Sequence, residues 1–288
     1  MSIFKRHWRL LCALLACVIL LSGIGVVYYH GEWWFPRLMQ LTRRGEVDLT
    51  VQADMGETTH WSYADLVARD DVIASDVLRL VNADYPLPTN YEPTLIEYNG
   101  AKMHPLMQDS YIALRDDVQA KTNVRIYVAS DYRTPEEQAE ILASADDGVA
   151  AAVGCSEHEA GLALDVYAPY HDGMDFLRSP AGRAVNRTCH EYGFIVRYPY
   201  GKADVTGISY EPWHLRYVGK PHAEIMALSG LTMEEYIESL TPEAWYAHGD
   251  YLISRRSIES LDLPNGWTCC EISPDNTGYY IVTLCFSN

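Results

Sequence analysis

Two short motifs limit this chain more than anything else in it. Ser156-Glu157-His158-Glu159-Ala160-Gly161-Leu162-Ala163-Leu164-Asp165 is followed, well downstream, by Glu211-Pro212-Trp213-His214. Leu162, Leu164 and Val166 alternate with Gly161, Ala163 and Asp165, which predicts a strand with one packed face. Asp165 then points to the face that carries only glycine and alanine, where there is room for an ion. His158 stands at an odd separation from Asp165, so a straight strand would send the two side chains to opposite faces. A bend over Glu159 to Gly161 is required, and Gly161 permits one. Glu211 and His214 are also an odd number of residues apart, and Pro212 between them bars a central strand. A tight or short helical turn would bring both to one site. Gathering the two imidazoles and two carboxylates at one site would therefore need a bend before the strand and a proline turn.

These residue types suit a divalent metal. Two His and one Asp make a zinc donor set with one position left open for water, and a spare Glu close to the last His stands where a general base is wanted. Each residue also has a plainer explanation. The chain holds 10 histidines, and a lone His is more often a hydrogen-bonded structural residue than a ligand. His60, His104, His171, His190, His222 and His248 are read that way. Asp165 alone could end a strand, Glu211 could be a surface carboxylate, and Trp213 is most simply core. Taken jointly, the four residues favour the metal. Their order is not the helical His-Glu-x-x-His pattern, which excludes the helical zinc peptidases as models.

The N-terminus adds a second constraint. Lys5, Arg6 and Arg9 precede an uncharged apolar run from Leu10 to Tyr29, and about 20 apolar residues suffice to span a bilayer as a helix. This predicts one transmembrane helix over 10–29, a cytoplasmic segment 1–9 and an extracytoplasmic remainder at the cell membrane. Trp33, Trp34 and Phe35 with Arg37 fit an interfacial belt on the far side. A cleaved signal peptide fits less well, because its apolar core would be shorter and Ser22 to Gly25 makes a poor cleavage site. Leu14-Leu15-Ala16-Cys17 is a weak lipoprotein box, with too short an apolar run before it and apolar residues continuing after it.

Charge excludes one class of partner. The chain has 22 Lys and Arg against 39 Asp and Glu, a formal net charge of −17, and setting aside Lys5, Arg6 and Arg9 makes the rest more acidic still. Such a surface repels nucleic acid. Cys12 and Cys17 lie in the apolar run as packing residues. Of Cys155, Cys189, Cys269, Cys270 and Cys285, the last could pair with Cys269 or Cys270 across a terminal hairpin, and spacing does not choose between them. No Cys-x-x-Cys occurs, which disfavours cysteine as a metal ligand.

The pattern divides the chain further. Residues 30–70 read as a juxtamembrane stem, with Arg43, Arg44, Asp48 and Asp54 and little apolar periodicity. Residues 71–228 read as one compact domain, and 229–288 as a C-terminal helix and β-rich appendage. Asp109 to Lys121 predicts a helix with Tyr111, Leu114 and Val118 on one stripe. Val124 to Ser130 alternates like a strand, and Thr134-Pro135-Glu136-Glu137 is a helix start. Tyr251-Leu252-Ile253 and Tyr279 to Phe286 are β-rich runs, with turn residues from Pro274 to Gly278. No internal repeat occurs.

Further blocks surround the paired motifs: Leu80-Val81-Asn82 through Tyr85-Pro86-Leu87-Pro88, Ser130-Asp131-Tyr132-Arg133-Thr134 with Gln138, Gly193-Phe194-Ile195-Val196-Arg197-Tyr198-Pro199, and Thr206-Gly207-Ile208. Together, over residues 75 to 228, they resemble the VanY-type D-alanyl-D-alanine carboxypeptidases. These zinc metallopeptidases share a fold with D-Ala-D-Ala dipeptidases and hedgehog-type domains. Asp131 replaces the usual glycine of the Ser-Gly-Tyr-Arg-Ser block, and Cys155 departs from the small residues usual before Ser156. The resemblance implies an α+β fold: a small central antiparallel sheet with flanking helices carrying one zinc site, here preceded by one transmembrane helix and followed by a small β-rich tail.

The resemblance also implies roles. His158, Asp165 and His214 would hold Zn2+, Glu211 would be the general base, and Arg133 would stabilise oxyanion charge or grip a substrate carboxylate. Ser156 and Gln138 would bind substrate, although either could simply satisfy backbone groups. The expected protein is a membrane-anchored, monomeric D,D-carboxypeptidase acting on a peptidoglycan stem peptide or lipid-linked precursor. Two other readings keep the same residues: a D,D-dipeptidase or wall endopeptidase, and a non-catalytic zinc-stabilised wall-binding or sensing module. The presence of both Glu211 and Arg133 weighs against the last.

Overall fold

The computed structural model describes residues 2–42, 49–52, 55–144 and 150–286. Arg43, Arg44, Asp48 and Asp54 of the expected stem lie outside the described residues. The helices are α1 (Ser2–Tyr29), α2 (Gly31–Thr42), α3 (Tyr63–Val67), α4 (Gln108–Thr122), α5 (Pro135–Ser144), α6 (Pro180–Thr188), α7 (Ala203–Thr206), α8 (His222–Ser229) and α9 (Met233–Ser239). The strands before the first motif are β1 (Thr50–Gln52), β2 (Thr58–His60), β3 (Val72–Ala74), β4 (Ile96–Tyr98), β5 (Ala101–Met103) and β6 (Tyr127–Ser130). They are followed by β7 (Ala163–Tyr167), β8 (Phe194–Val196), β9 (His214–Tyr217) and β10 (Trp245–His248). The last four are β11 (Tyr251–Arg256), β12 (Asp262–Pro264), β13 (Cys269–Pro274) and β14 (Tyr280–Cys285).

Local chemistry accounts for the elements around the site. Helix α4 buries Tyr111, Leu114 and Val118 along one stripe and ends where Asn123 turns left-handed at φ 58°. Helix α5 starts with a reciprocal cap: Thr134 Oγ1 accepts from the Glu137 N–H, and the Thr134 N–H donates to the Glu137 carboxylate at 2.8 Å. The same device opens α9 between Thr232 and Glu235. Between these helices lies a four-stranded antiparallel sheet in the order β6-β7-β9-β8.

The expected architecture of one small sheet with a β-rich tail is corrected by the rest of the molecule. The largest sheet has six strands in the order β1-β10-β11-β14-β13-β3, and its last pair, β13 with β3, is parallel. The reason lies in the run Ile281-Val282-Thr283-Leu284, which is apolar on both faces. Ile281 joins the same core as Leu164 and Leu215, whereas Val282 and Leu284 pack with Leu66, Leu263 and Ile272. A sheet apolar on both sides must be covered on both. Strands from residues 50–52 and 72–74 pair with β10 and β13 and form its two edges. The fold is a mixed α/β arrangement of several sheets.

The expected transmembrane helix is also corrected. Helix α1 covers the expected stretch, but among the described residues no helix is long and apolar enough to cross a membrane. The aromatic belt fares similarly. Phe35 of α2 is 1% exposed, with the Arg187 guanidinium over its ring, and Glu32 pairs with Arg178 at 3.1 Å. Gly31 lies so close to the body that a Cβ there would come within 2.5 Å of the Leu177 carbonyl oxygen. Helix α2 therefore packs on protein through Gly31 and Phe35, while Trp33 faces outward.

Candidate metal centre

The site is assembled by strand register and two turns. Asp165, in the middle of β7, is the register partner of His214 on β9. On its other side it is the partner of Ser130, after a bulge that shifts β6 between Val128 and Ser130. The bend required before β7 is a tight turn. The N–H groups of Glu159, Ala160 and Gly161 donate to the carbonyls of Ser156, Glu157 and His158. Gly161 takes φ +67°, a backbone conformation that calls for glycine. The proline turn closes with the His214 N–H donating to the Glu211 carbonyl at 3.2 Å. Asn186 holds that turn from behind, donating to the Pro212 carbonyl at 2.9 Å.

These constraints bring His158, Asp165 and His214 together, with one ligand atom from each lying within 4.8 Å of the others. His158 Nε2 is 3.3 Å from Asp165 Oδ2, and His214 Nδ1 is 3.1 Å from Asp165 Oδ1. The Asp131 carbonyl lies 2.7 Å from His158 Nδ1. A carbonyl only accepts, so that nitrogen carries the proton and Nε2 presents a lone pair to the carboxylate. Both His158 Nε2 and Asp165 Oδ1 are buried with no hydrogen-bond partner. The His158 Nε2 lone pair faces Asp165 Oδ2 at 3.3 Å, an arrangement that is unfavourable in a largely buried site unless positive charge sits beside it. The three residues thus fit a metal ion.

Electrostatics agree. Burial lowers the His158 pKa and keeps the ring neutral, as a ligand must be. Burial would raise the Asp165 carboxyl, but the two imidazoles outweigh it and hold it well below the usual carboxylate range. Burial works against a charged His214, yet the carboxylates of Asp165 and Glu157 push it up to about 9, so this centre draws positive charge. Glu211 Oε2 lies 3.7 Å from His214 Nδ1. Burial, assisted by the charge of Asp165 and opposed by His214 and Arg133, pushes the Glu211 carboxyl up to about 7.

Arg133 reaches the centre from the β6–α5 connection. Its Nη2 is 3.3 Å from Asp165 Oδ2, its Nε donates to Ser130 Oγ at 3.1 Å, and its Nη1 donates to Gln138 Oε1 at 2.9 Å. The other end of Gln138 donates to the Ala151 carbonyl at 2.8 Å, so this amide braces Arg133 against the chain that leads into the first motif. Ser156 is buried at the head of the turn.

Sequence reasoning gave no role to Glu157, Arg197 or Arg216, which form a fully buried ion cluster beneath His214. A signal was available: Arg216 lies two residues after His214 on β9 and so shares its face of the strand. A charged residue on an inward strand position needs a buried countercharge.

A His/Asp/His group gathered in this way could hold a metal ion. A family model described as "VanY: D-alanyl-D-alanine carboxypeptidase" matches residues 100–220. The bifunctional D-Ala-D-Ala dipeptidase and D-Ala-D-Ala carboxypeptidase VanXYC of Enterococcus gallinarum is 34% identical over 181 residues, 57% of this chain and 95% of that protein. Among solved structures, the D,D-dipeptidase VanXYg in complex with a D-Ala-D-Ala phosphinate analogue is similar at TM-score 0.62 and 30% identity, covering 73% of this chain and 94% of that one. The D,D-pentapeptidase VanY from a VanB-type resistance cassette, solved with Zn(II), is similar at TM-score 0.50 and 33% identity, covering 56% and 98%. The chain belongs to the VanY family of D-alanyl-D-alanine carboxypeptidases and is an enzyme, a peptidase of that family.

Proposed function

We propose that this protein is a zinc D,D-carboxypeptidase that removes the terminal D-alanine from peptidoglycan stem pentapeptides or their lipid-linked precursors. The convergence of His158, Asp165 and His214, with ligand atoms left unpartnered beside Glu211, carries the reading. His158 through Nε2, Asp165 through its carboxylate and His214 through Nδ1 would hold the zinc. Zinc, when bound, supplies Lewis acidity toward the scissile carbonyl and a lowered pKa for the attacking water.

The remaining work falls to side chains. Glu211 accepts a proton from the water as its oxygen bonds to the scissile carbonyl carbon. As the C–N bond breaks, Glu211 returns that proton to the departing D-alanine nitrogen. A carboxyl whose pKa lies near neutrality is matched to both halves of this transfer. Arg133, held by Gln138 and Ser130, offers a fixed guanidinium to the substrate's terminal carboxylate or to oxyanion charge. Ser156, buried at the head of the turn before His158, is assigned to substrate binding. The Cys269–Cys285 disulfide supports action outside the cytoplasm.

A second reading, a D,D-dipeptidase on the same site, is favoured by the near-complete coverage of VanXYC and VanXYg. Both readings are tested by incubating the protein with a muramyl pentapeptide, a tetrapeptide and free D-Ala-D-Ala and weighing the products. D-alanine release from the pentapeptide, abolished by chelator and restored by zinc, is the expected result. Chelator-resistant release would overturn the zinc mechanism, and preferential cleavage of the free dipeptide would favour the second reading.

A further inference from the structure

The strongest unused feature is the ion cluster under His214. Glu157 has a side chain with no exposed surface, and its Oε1 is 2.6 Å from Arg197 Nε and 2.9 Å from Arg216 Nη1. Arg216 is fixed by donating to the carbonyls of Val77 and Arg79, both at 2.9 Å. Arg197 is fixed by Glu234 of α9, whose two oxygens lie 3.0 and 2.6 Å from its terminal nitrogens. Glu234 in turn accepts from Asn82 Nδ2 at 3.1 Å. The two arginines so occupied pin one oxygen of Glu157 and leave the other free.

That second oxygen, Oε2, has no hydrogen-bond partner, and neither has His214 Nε2. The two lie 3.5 Å apart, both buried. In one tautomer of His214 a proton on Nε2 points at Oε2, and Nδ1 presents its lone pair to the Asp165 side. In the other, two lone pairs face each other in a dry site and the Nδ1 proton points into the ligand group. Only the first is compatible with a metal at Nδ1.

We infer that Glu157 is a positioning residue for the metal centre: its carboxylate, anchored by Arg197 and Arg216, selects the Nε2-protonated form of His214 and so assigns Nδ1 as the ligand. This rests on the zinc reading above. His158 provides the contrast, since a neutral carbonyl fixes it the opposite way, with Nδ1 protonated and Nε2 as ligand. The two imidazoles would meet the metal through different nitrogens, one held by an uncharged acceptor and one by a carboxylate. Stability alone gives little reason for such a cluster, because buried ion pairs are often replaced by apolar groups at no loss. A ligand that must be held in one orientation and one tautomer does give a reason.

The test uses the whole chain and zinc alone. Histidine-selective 15N NMR of the zinc-loaded wild-type protein should show His214 with a protonated Nε2 and metal on Nδ1, and His158 with the reverse. In competition with a chelating dye, Glu157→Gln should weaken zinc binding by roughly 10–100-fold. Glu157→Asp, which keeps the charge between the arginines but withdraws it from His214, should fold and also bind more weakly. Zinc on Nε2 of His214, or a folded Glu157→Gln protein binding zinc within about twofold of wild type, would overturn the inference while leaving the zinc reading intact. If Glu157→Gln does not fold, the wild-type spectrum and Glu157→Asp still decide. A wild-type protein that takes up no zinc would overturn both.

Discussion

The four-stranded and six-stranded sheets both have buried central strands, but these are filled differently. Around the smaller one, Glu157, His158, Arg197, His214 and Arg216 are buried polar or charged groups close to its middle. In the larger one the interior positions are Ile253, Ile272, Ile281, Val282 and Leu284, with hydroxyls from Ser254, Ser273 and Thr283 between them. Its buried charges lie toward one end: Arg255 and Arg256 are the last two residues of β11, and Arg255 pairs at 2.6 Å with Asp275, just beyond β13. The smaller sheet keeps its charges in place by geometry that must be right for chemistry. The larger one supplies apolar burial on two faces and so holds the smaller one in place. His222 joins the two regions, with Nδ1 2.6 Å from the Tyr236 hydroxyl on α9 and Nε2 2.9 Å from Thr283 Oγ1 on β14.

If this division is right, substitutions in the two regions should fail in different ways. The largest effect is expected at Glu211. Glu211→Gln should lower kcat by about 10²–10⁴-fold while zinc content and melting temperature stay close to wild type; retained turnover would remove Glu211 as the base. Next comes the larger sheet. Leu284→Ala removes a fully buried side chain and should cost about 2–5 kcal/mol of stability in urea unfolding. Its kcat on the folded protein should change little. A large kcat loss at unchanged stability would break the comparison.

The smallest effect concerns the junction. Burial, with the nearby His248 adding to it, lowers the His222 pKa from 6.5 to about 3. The unfolded chain therefore binds a proton that the folded one refuses. The stability contributed by neutral His222 is complete above pH 6.5 and is lost as pH falls toward 3. The slope in that window approaches about 1.4 kcal/mol per pH unit. Urea midpoints at pH 7 and pH 5 should differ more for wild type than for His222→Gln. Equal pH dependence in the two would remove His222 as the source.

Legibility in the sequence follows the same division. The bend at Gly161, the turn at Pro212 and the stripe on α4 are local events, set by glycine, proline and helical periodicity, and the structure has each where the pattern puts it. The meeting of His158, Asp165 and His214 was expected from the residue types of the two motifs and from the family resemblance they carry; the separations alone said only that a bend and a turn would be needed. The partners of the larger sheet were not legible. Strands β1 and β3 are three residues each, too short for period-two alternation to register. Their pairing with strands from the far end of the chain depends on which edges are left open.

By itself, then, the sequence determined the local turns, the helix starts, the net acidic charge and the family's paired motifs, because each is read from composition or from residues a few positions apart. Only the tertiary structure decided that the tail closes a six-stranded sheet with strands from the N-terminal part, that Phe35 packs on protein, and that Glu157 lies between two arginines under His214. Those outcomes depend on burial and on long-range contacts. A residue's charge says that it needs a partner when buried; it does not say which one.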